Sequence, residues 1–510
     1  MKILLAGPGT GKTTNIKNII QSKPDLDGVL IISFTNATVE DLKKSLIPIG
    51  VSPDNCMTLH KFAVKYNHDK SRHVLERLEV DILSKISKAT EIGFNELCDF
   101  LSATTFDQMI GRFVTYAKAN PEYLKQKLSQ YSVLIVDEYQ DFNKNEQELI
   151  DLLVELMSET YILGDDDQCI YDFKDADNDK IISLYSDSTH EKIEHEHKCY
   201  RCPDVVVDSA TKLIKKNTKR VDKVWDKTGK TGNLIQRQFP SNTITADYIL
   251  EQVNTILKES ADDKVLILSP VGFLVENLVD RFDGSSIDYR NYFVAKVDPE
   301  LIIKSWVLRA IFGRHKYLNL VLIGYKVSSP RTKFYATIKS QYASGQNFDE
   351  LFRVVENKLP DEAKNNYVDV RTALQEPYFE GLLTFFDNAV GDTDDEKLEN
   401  LFVLVDENVE KRVNIMSIHK SKGLGAEHVF MIGLIEGIIP NRAKGNDTIE
   451  SQRRLFYVGM TRAKKDLHLI SSIDLEGKYV NTVNKEDFRY DFRSKLWKGK
   501  ASRFIEEINT

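Results

Sequence analysis

Lys2-Ile3-Leu4-Leu5-Ala6-Gly7-Pro8-Gly9-Thr10-Gly11-Lys12-Thr13 decides the reading of this chain. Lys2 to Ala6 is a short apolar run suited to a buried strand, and it stops at a turn rich in glycine. Ile16, Ile19 and Ile20 then recur at helical spacing. A strand, a glycine loop and a helix in that order are the context in which backbone N–H groups curl around phosphates and a helix N-terminus adds a positive dipole end. Gly7, Pro8, Gly9, Thr10, Gly11, Lys12, Thr13 and Thr14 are therefore the candidate triphosphate cradle. Lys12 is placed to reach the β- and γ-phosphates, and the Thr13 hydroxyl to ligate Mg2+. The first glycine of the usual pattern is Ala6 here.

A second stretch answers the first. Val133-Leu134-Ile135-Val136 is a continuous apolar run, as a central parallel strand buried on both faces requires, and it ends in Asp137-Glu138-Tyr139-Gln140-Asp141. Ligands of open α/β sheets lie at the carboxyl ends of strands. Asp137 is thus the candidate metal ligand, and Glu138 the candidate base that orients and deprotonates an attacking water. An acidic strand-to-loop turn is the competing reading. Lys12 beside such a turn makes nucleotide hydrolysis the better account.

Composition bounds the rest. The chain has 510 residues, 42% of them hydrophobic, and a formal net charge of -8. That length suggests three to four domains and excludes a globally basic nucleic-acid binder, though not a local cationic groove. Five cysteines give no disulfide framework and suggest a reducing interior. Cys199 and Cys202 form a lone C-x-x-C, read as two unpaired thiols. The apolar start stops too soon for a signal peptide, and no stretch is long and apolar enough to span a bilayer, so a soluble, cytoplasmic protein without membrane partners is expected. There is no tandem repeat and no low-complexity tract.

Read together, these motifs and others in series resemble superfamily 1 helicases of the UvrD/Rep/PcrA group. Ile32-Ser33-Phe34-Thr35-Asn36 resembles motif Ia, and Thr58-Leu59-His60-Lys61-Phe62 resembles Ib. Gly164 to Ala176 matches motif III, and Tyr200-Arg201 sits at motif IV. Ile287-Asp288-Tyr289-Arg290 resembles the strand that follows, Met416 to Leu424 is similar to motif V, and Arg453 to Ala463 to motif VI. The resemblance implies an α/β fold with two RecA-like P-loop NTPase domains, each with a mainly helical inserted subdomain, and ATP with Mg2+ between them. It implies an ATP-dependent 3′-to-5′ translocase and helicase on single-stranded and tailed duplex DNA. Gln140 and Gln168 would sense the γ-phosphate, and Arg201 and Arg462 would reach it from across the cleft. Phe34, Thr35, Asn36, Thr58, His60, Tyr171, Phe173, Lys174 and His419 are the candidate DNA contacts. The polar groups suit phosphate oxygens and the aromatics suit base stacking. Core packing competes with stacking for Phe34, Tyr171 and Phe173.

The sequence also departs from the family pattern. A segment whose glutamine reads adenine is expected to be missing before the P-loop strand. Motif V runs Gly423-Leu424-Gly425-Ala426 where a glutamate commonly approaches the ribose. Motif III carries Phe173-Lys174 where many relatives have Trp-Arg. Poor discrimination among NTPs is the expectation.

Domain boundaries follow from periodicity. The first motor domain is expected over 1–66 and 130–226, with a helical insertion at 67–129. The second is expected over 227–312 and 409–510, with an insertion at 313–408 that includes the acidic loop Asp392 to Glu396 and is short for the family. Lys212 to Lys230 reads as an inter-domain linker or a solvated helix face. Lys485 to Lys500 reads as a solvated terminal helix, with contact to DNA or a partner as the competitor. Compact size and thin insertions resemble the helicase component of Gabija-type anti-phage systems. A motor or regulatory subunit serving a partner nuclease is therefore the alternative function, since this chain carries no nuclease motif of its own. A nucleotide switch that does not unwind and an RNA motor are the remaining readings.

Overall fold

The computed structural model describes residues 1–176, 178–294, 298–359, 361–365, 367–387, 389, 393–399, 401, 411–441, 449–483 and 485–510. It divides into two compact units. One comprises Met1–Tyr66, Ala117–Val294 and Glu410–Thr510, and the other Asn67–Tyr116 and Ala295–Val409.

The larger unit holds two six-stranded sheets in which every pairing is parallel. The first runs 56–58, 29–33, 133–136, 159–164, 2–5, 191–192 in spatial order. The strand Glu159–Gly164 lies between the P-loop strand Lys2–Leu5 and the acidic strand Val133–Val136. Three carboxyl ends that carry Gly7, Asp137 and Asp165 therefore stand side by side. The inner strands read as unbroken apolar runs because both of their faces are covered. Val29 to Ser33 and Leu134 to Val136 are all buried.

The second sheet runs 289–291, 413–417, 265–269, 426–431, 463–472, 233–239. The expected strand at Val265 is present as Val265–Ser269, and the one expected at Ile287 is displaced to Tyr289–Asn291. These are the two RecA-like layers the sequence implied.

Two stretches differ from expectation. Lys212 to Lys230 is not a plain linker. Its first residues complete the helix Asp204–Ile214, whose Val206, Leu213 and Ile214 join Trp225, Leu266 and Phe456 in one core of the second lobe. Lys485 to Lys500 is not a helix either. Arg489–Asp491 and Leu496–Lys498 form an antiparallel hairpin with Asp474–Leu475 as third strand. The alternation Phe488, Tyr490, Phe492 has the period of a strand, and Phe488 seals a small core with Leu274, Ile435 and Leu475.

The smaller unit is mainly helical, with Arg77–Thr90, Phe94–Phe100, Pro299–Phe312 and Lys316–Val327 as its main packed members. The first insertion ends at Tyr116, short of the expected 129, and the second begins after Val294, earlier than the expected 313. The two insertions, distant in sequence, share one core in which Ile82, Leu83 and Ile86 lie with Trp306, Leu322 and Phe334. Within that core the Glu79 carboxylate accepts from Trp306 Nε1 at 3.0 Å and pairs with His73 Nε2 at 2.9 Å and Arg309 Nη1 at 3.7 Å. The expected boundary at 408 and Asp392 lie outside the described residues, while the rest of the expected acidic loop enters the short helix Asp394–Glu399.

Candidate nucleotide-hydrolysis site and DNA face

The P-loop takes the shape its glycines permit. Gly9 and Gly11 have φ of 72° and 84°, a region that other residues enter at a cost, and Gly11 caps the helix Lys12–Gln21. Gly9 is also needed for space, because a Cβ there would stand 2.4 Å from Arg201 Cβ. Gly7 is likewise closed over by the Trp225 indole. The Thr10 hydroxyl donates to the Gly7 carbonyl at 2.9 Å and steadies the loop, while Pro8 contributes its own carbonyl as an acceptor for Cys199 Sγ at 3.1 Å. Thr13 and Thr14 are exposed at the start of the helix.

Lys12 Nζ bonds the Glu138 carboxylate and lies 3.5 Å from Asp137 Oδ1. Burial works against the Lys12 cation, but Asp137 and Glu138 outweigh it and hold the ammonium above its ordinary pKa. Burial would also raise Glu138. Lys12 and Lys422 prevail, and the carboxyl is kept well below the usual range. Burial does win at Asp137, whose carboxyl is pushed up. Glu138 sits at φ 55°, a left-handed conformation that a non-glycine residue adopts at a cost of about 1–3 kcal/mol and that recurs at functional sites.

The second lobe closes over this cluster. Lys422 Nζ bonds the Asp141 carboxylate, donates to the Gln168 carbonyl at 2.7 Å and approaches Glu138 Oε2 at 3.4 Å. Gln140 donates to Glu138 Oε2 at 2.7 Å and accepts from the Asp165 N–H at 3.0 Å. Gln168 donates to Asp165 Oδ2 at 2.7 Å and accepts from Arg462 Nη2 at 3.2 Å. Arg462 is fully buried. Desolvation, followed by the like charge of Arg201, holds its guanidinium below its ordinary value. The two arginines thus converge beside the P-loop as a positive pair that Glu138 offsets only in part, an electrostatic complement of a polyphosphate. Asp137 Oδ1 is buried with no hydrogen-bond partner. That oxygen, which has the Lys12 ammonium 3.5 Å away but makes no hydrogen bond, fits a divalent cation or its water.

Several residues of this network lay outside the sequence expectation. Lys422 joins two carboxylates across the cleft. Arg454 fastens motif VI to motif III, donating to the Cys169 carbonyl at 2.8 Å and to Asp172 at 3.0 Å. Lys223 reaches Asp165, Asp166 and Asp167 at 3.3, 2.6 and 2.8 Å, and Arg220 grips Asp167 through two bonds. The lysine richness of the 212–230 stretch was visible, but not its insertion among buried carboxylates.

The candidate DNA residues gather in part. Phe34 is half-buried, 4.9 Å from the Tyr171 ring and 5.5 Å from Phe142. Lys174 Nζ lies 5.5 Å from both Phe34 and Tyr171, and His419 stands 6.1 Å from Tyr171. Tyr171 is only 9% exposed and its hydroxyl donates to the His419 carbonyl at 3.4 Å. Its ring packs in a small core with Ile170 and Val458, so in this state core packing, and not an open stacking face, describes it. Thr35 and Thr58 are helix caps, accepting from the N–H of Thr38 at 3.1 Å and of Lys61 at 3.2 Å. Asn36 is exposed at the start of the helix it opens, and His60 pairs with Glu146 at 3.1 Å. Phe173 lies in the turn Asp172–Lys174, and its side chain is outside the described residues. No helix of the described residues is long and apolar enough to cross a membrane.

Comparison with known proteins agrees with this arrangement. Residues 81–189 match the UvrD/REP helicase N-terminal domain and residues 315–473 the UvrD-like helicase C-terminal domain, together just over half of the chain. The P-loop and motifs Ia and Ib precede the first match and stand on their own residues. The ATP-dependent DNA helicase Rep of Buchnera aphidicola subsp. Acyrthosiphon pisum is 26% identical over 495 residues, covering 81% of this chain and 75% of that protein. A probable DNA helicase II homolog of Rickettsia felis is 23% identical, with 99% and 93% covered. The ATP-dependent DNA helicase PcrA of Staphylococcus epidermidis is 22% identical, with 77% and 62% covered.

Proposed function

We propose that this chain, which belongs to the UvrD/Rep/PcrA-like group of superfamily 1 helicases, hydrolyses ATP between its two RecA-like lobes, moves 3′ to 5′ along single-stranded DNA and separates tailed duplexes. The observation that carries the reading is the polar chain across the cleft: Lys12 to Glu138, Glu138 to Lys422, and Gln168 to Arg462. Groups from both lobes meet at one carboxylate and one glutamine. A change in occupancy there is felt by both sheets.

Each side chain then has a task. The P-loop amides and Lys12 take the phosphates. Thr13 and Asp137 would hold Mg2+, which would supply charge neutralisation to the phosphates. Glu138 orients the attacking water and accepts its proton once Lys12 turns to the nucleotide. Gln140 and Gln168 register the γ-phosphate position. Arg201 and Arg462 stabilise transition-state charge when the lobes are closed, so hydrolysis is tied to opening and closing, and that motion is the step. The exposed N-terminus at Asn36, with Lys174 and His419, tracks the DNA backbone, and Phe34 offers a base a face. Gly425 stands where a ribose-contacting glutamate is common, and a Cβ there would lie 3.6 Å from Arg201 Cδ. With no acidic group at that position to select a sugar or base, several NTPs serve as fuel.

The test is the hydrolysis rate with and without single-stranded DNA, over a panel of four NTPs, beside unwinding of 3′- and 5′-tailed duplexes. DNA-stimulated hydrolysis and unwinding of the 3′-tailed substrate alone are expected. Unwinding from the 5′ tail overturns the polarity, and strict adenine preference overturns the fuel assignment. Hydrolysis indifferent to DNA overturns the motor.

A further inference from the structure

The C-x-x-C at Cys199 and Cys202 has no part in the hydrolysis outlined above, yet it encloses Tyr200 and Arg201 at the nucleotide cleft. Both thiols are buried, and they hydrogen-bond each other, with the Cys199 sulfur accepting from Cys202. Each also holds one wall of the site. Cys199 Sγ lies 3.1 Å from the Pro8 carbonyl oxygen of the P-loop, and Cys202 Sγ lies 3.4 Å from the Thr461 carbonyl oxygen, one residue before Arg462. The backbone between them is equally close, since the Tyr200 N–H donates to the Gly9 carbonyl at 2.9 Å. Cys202 is followed by Pro203, which opens the helix Asp204–Ile214.

The hydrogen bond from Cys202, supported by the N–H groups of Cys202 and Arg201 and opposed by burial, brings the Cys199 thiol down to about 6. Cys202 is held well above its ordinary value by that same bond and by burial. One sulfur is poised to attack and the other to resolve. Cys56, Cys98 and Cys169 are also buried, and burial pushes all three thiols up, to about 12 and about 11 for the first two.

We propose that Cys199 and Cys202 are an oxidative modification site, closed to a disulfide by a hydroperoxide and reopened by a dithiol, that switches off the nucleotide site. The Cys199 thiolate attacks the peroxide O–O bond, taking one oxygen as a sulfenic acid while the other leaves as water. Cys202 sulfur then displaces the sulfenic hydroxyl, and its proton leaves with that hydroxyl as a second water. Two thiols and one hydrogen peroxide thus yield one disulfide and two waters. Joining the two sulfurs draws them from their places beside the Pro8 and Thr461 carbonyls, and Arg201, which lies between them in the chain, is turned. The rate effect rests on the reading of the cleft as a site of ATP hydrolysis; formation of the disulfide does not.

The experiment treats the full chain with hydrogen peroxide, removes the oxidant, maps the disulfide by mass spectrometry of an alkylated digest, and measures DNA-stimulated ATP hydrolysis before and after dithiothreitol. Cys199→Ser, Cys202→Ser and the double variant are each compared with their own untreated rates. A Cys199–Cys202 disulfide, a fall of roughly ten- to hundredfold as expected for a misplaced catalytic arginine, and recovery with dithiothreitol are expected, with the variants spared. Absence of that disulfide overturns the proposal, as does a mapped disulfide with an unchanged rate or equal inactivation of the variants. Should the variants fail to fold, mapping and recovery in the unaltered chain still decide. An untreated protein that hydrolyses no ATP overturns the reading of the cleft, while the map still decides on the disulfide.

Discussion

Glu138 is the base in the proposed hydrolysis, and its surroundings say how it is restrained. With Lys12 and Lys422 both on its carboxylate it stays ionised but is engaged, which suits a base that must wait for a nucleotide to draw Lys12 away. Glu138→Gln keeps the shape and removes the base. Its steady-state hydrolysis is expected to fall by roughly 10²- to 10⁴-fold with DNA binding retained, and turnover near the unaltered rate would remove the assignment. A histidine outside the site offers a second test. His468 is buried, 4.1 Å from the Phe430 ring, and burial, with the nearby charges of Asp466, His428 and Arg237 as smaller influences, brings its imidazole from 6.5 down to about 4. A folded-state value below the unfolded one gives stability that is complete above about pH 6.5 and is lost as the pH falls toward 4. Between about pH 7 and about pH 5 this one ring contributes a loss of about 2 kcal/mol. Urea unfolding of His468→Leu at those two pH values is therefore expected to show a smaller drop than the unaltered chain, and an equal drop in both proteins would place the pH sensitivity elsewhere.

Among the elements, those carried by continuous apolar runs were legible in sequence. Val133–Val136 and Val265–Ser269 are strands because nothing polar interrupts them until their functional ends. The P-loop was legible for a related reason, in that glycine takes the positive φ of positions 9 and 11 without the cost other residues meet. What escaped was set by partners far along the chain. Lys223 looks like one more linker lysine until Asp165, Asp166 and Asp167 surround it, and Lys422 meets Asp141 from 281 residues away. Tyr171 was offered to DNA on the strength of its polar neighbours, and tertiary contacts with Phe34 and Val458 enclose it. The stretch at 485–500 was misread because its many charges suggested a solvated helix, although the aromatic residues alternate as in a strand. The hairpin, residues 489–498, has four Lys or Arg against one Asp in a chain of net charge -8, and its turn presents Phe492, 85% exposed. An exposed aromatic on a basic turn suits a nucleic-acid base better than water. Phe492→Ala is expected to lower the base pairs opened per ATP by roughly tenfold, the scale of one lost stacking contact. A ratio unchanged from the unaltered protein would leave the hairpin without a role in unwinding.

At the scale of the whole molecule, the two helical insertions are one body by construction. They leave the chain about two hundred residues apart but bury a common core, and its one fully enclosed carboxylate among the described residues, Glu79 of the first insertion, is compensated by Trp306 and Arg309 of the second as well as by His73. Such a carboxylate is costly once its partners are gone, so neither insertion is expected to hold its shape alone. Trp306→Ala empties the largest side-chain volume from that core and removes a donor to Glu79, a loss of roughly 3–5 kcal/mol. If the insertions are thermodynamically one unit, hydrogen exchange will quicken together in Arg77–Thr90 and in Pro299–Phe312, while the strands Val133–Val136 and Val265–Ser269 keep their protection. Exchange that quickens in Pro299–Phe312 alone would mean that the first insertion is stable by itself and that the shared core is contact between two independent bodies. The distinction matters to a motor of this kind, because insertions that move as one body can be displaced together by the chain segments that enter and leave them, whereas two separate bodies would each need their own coupling to the hydrolysis cycle.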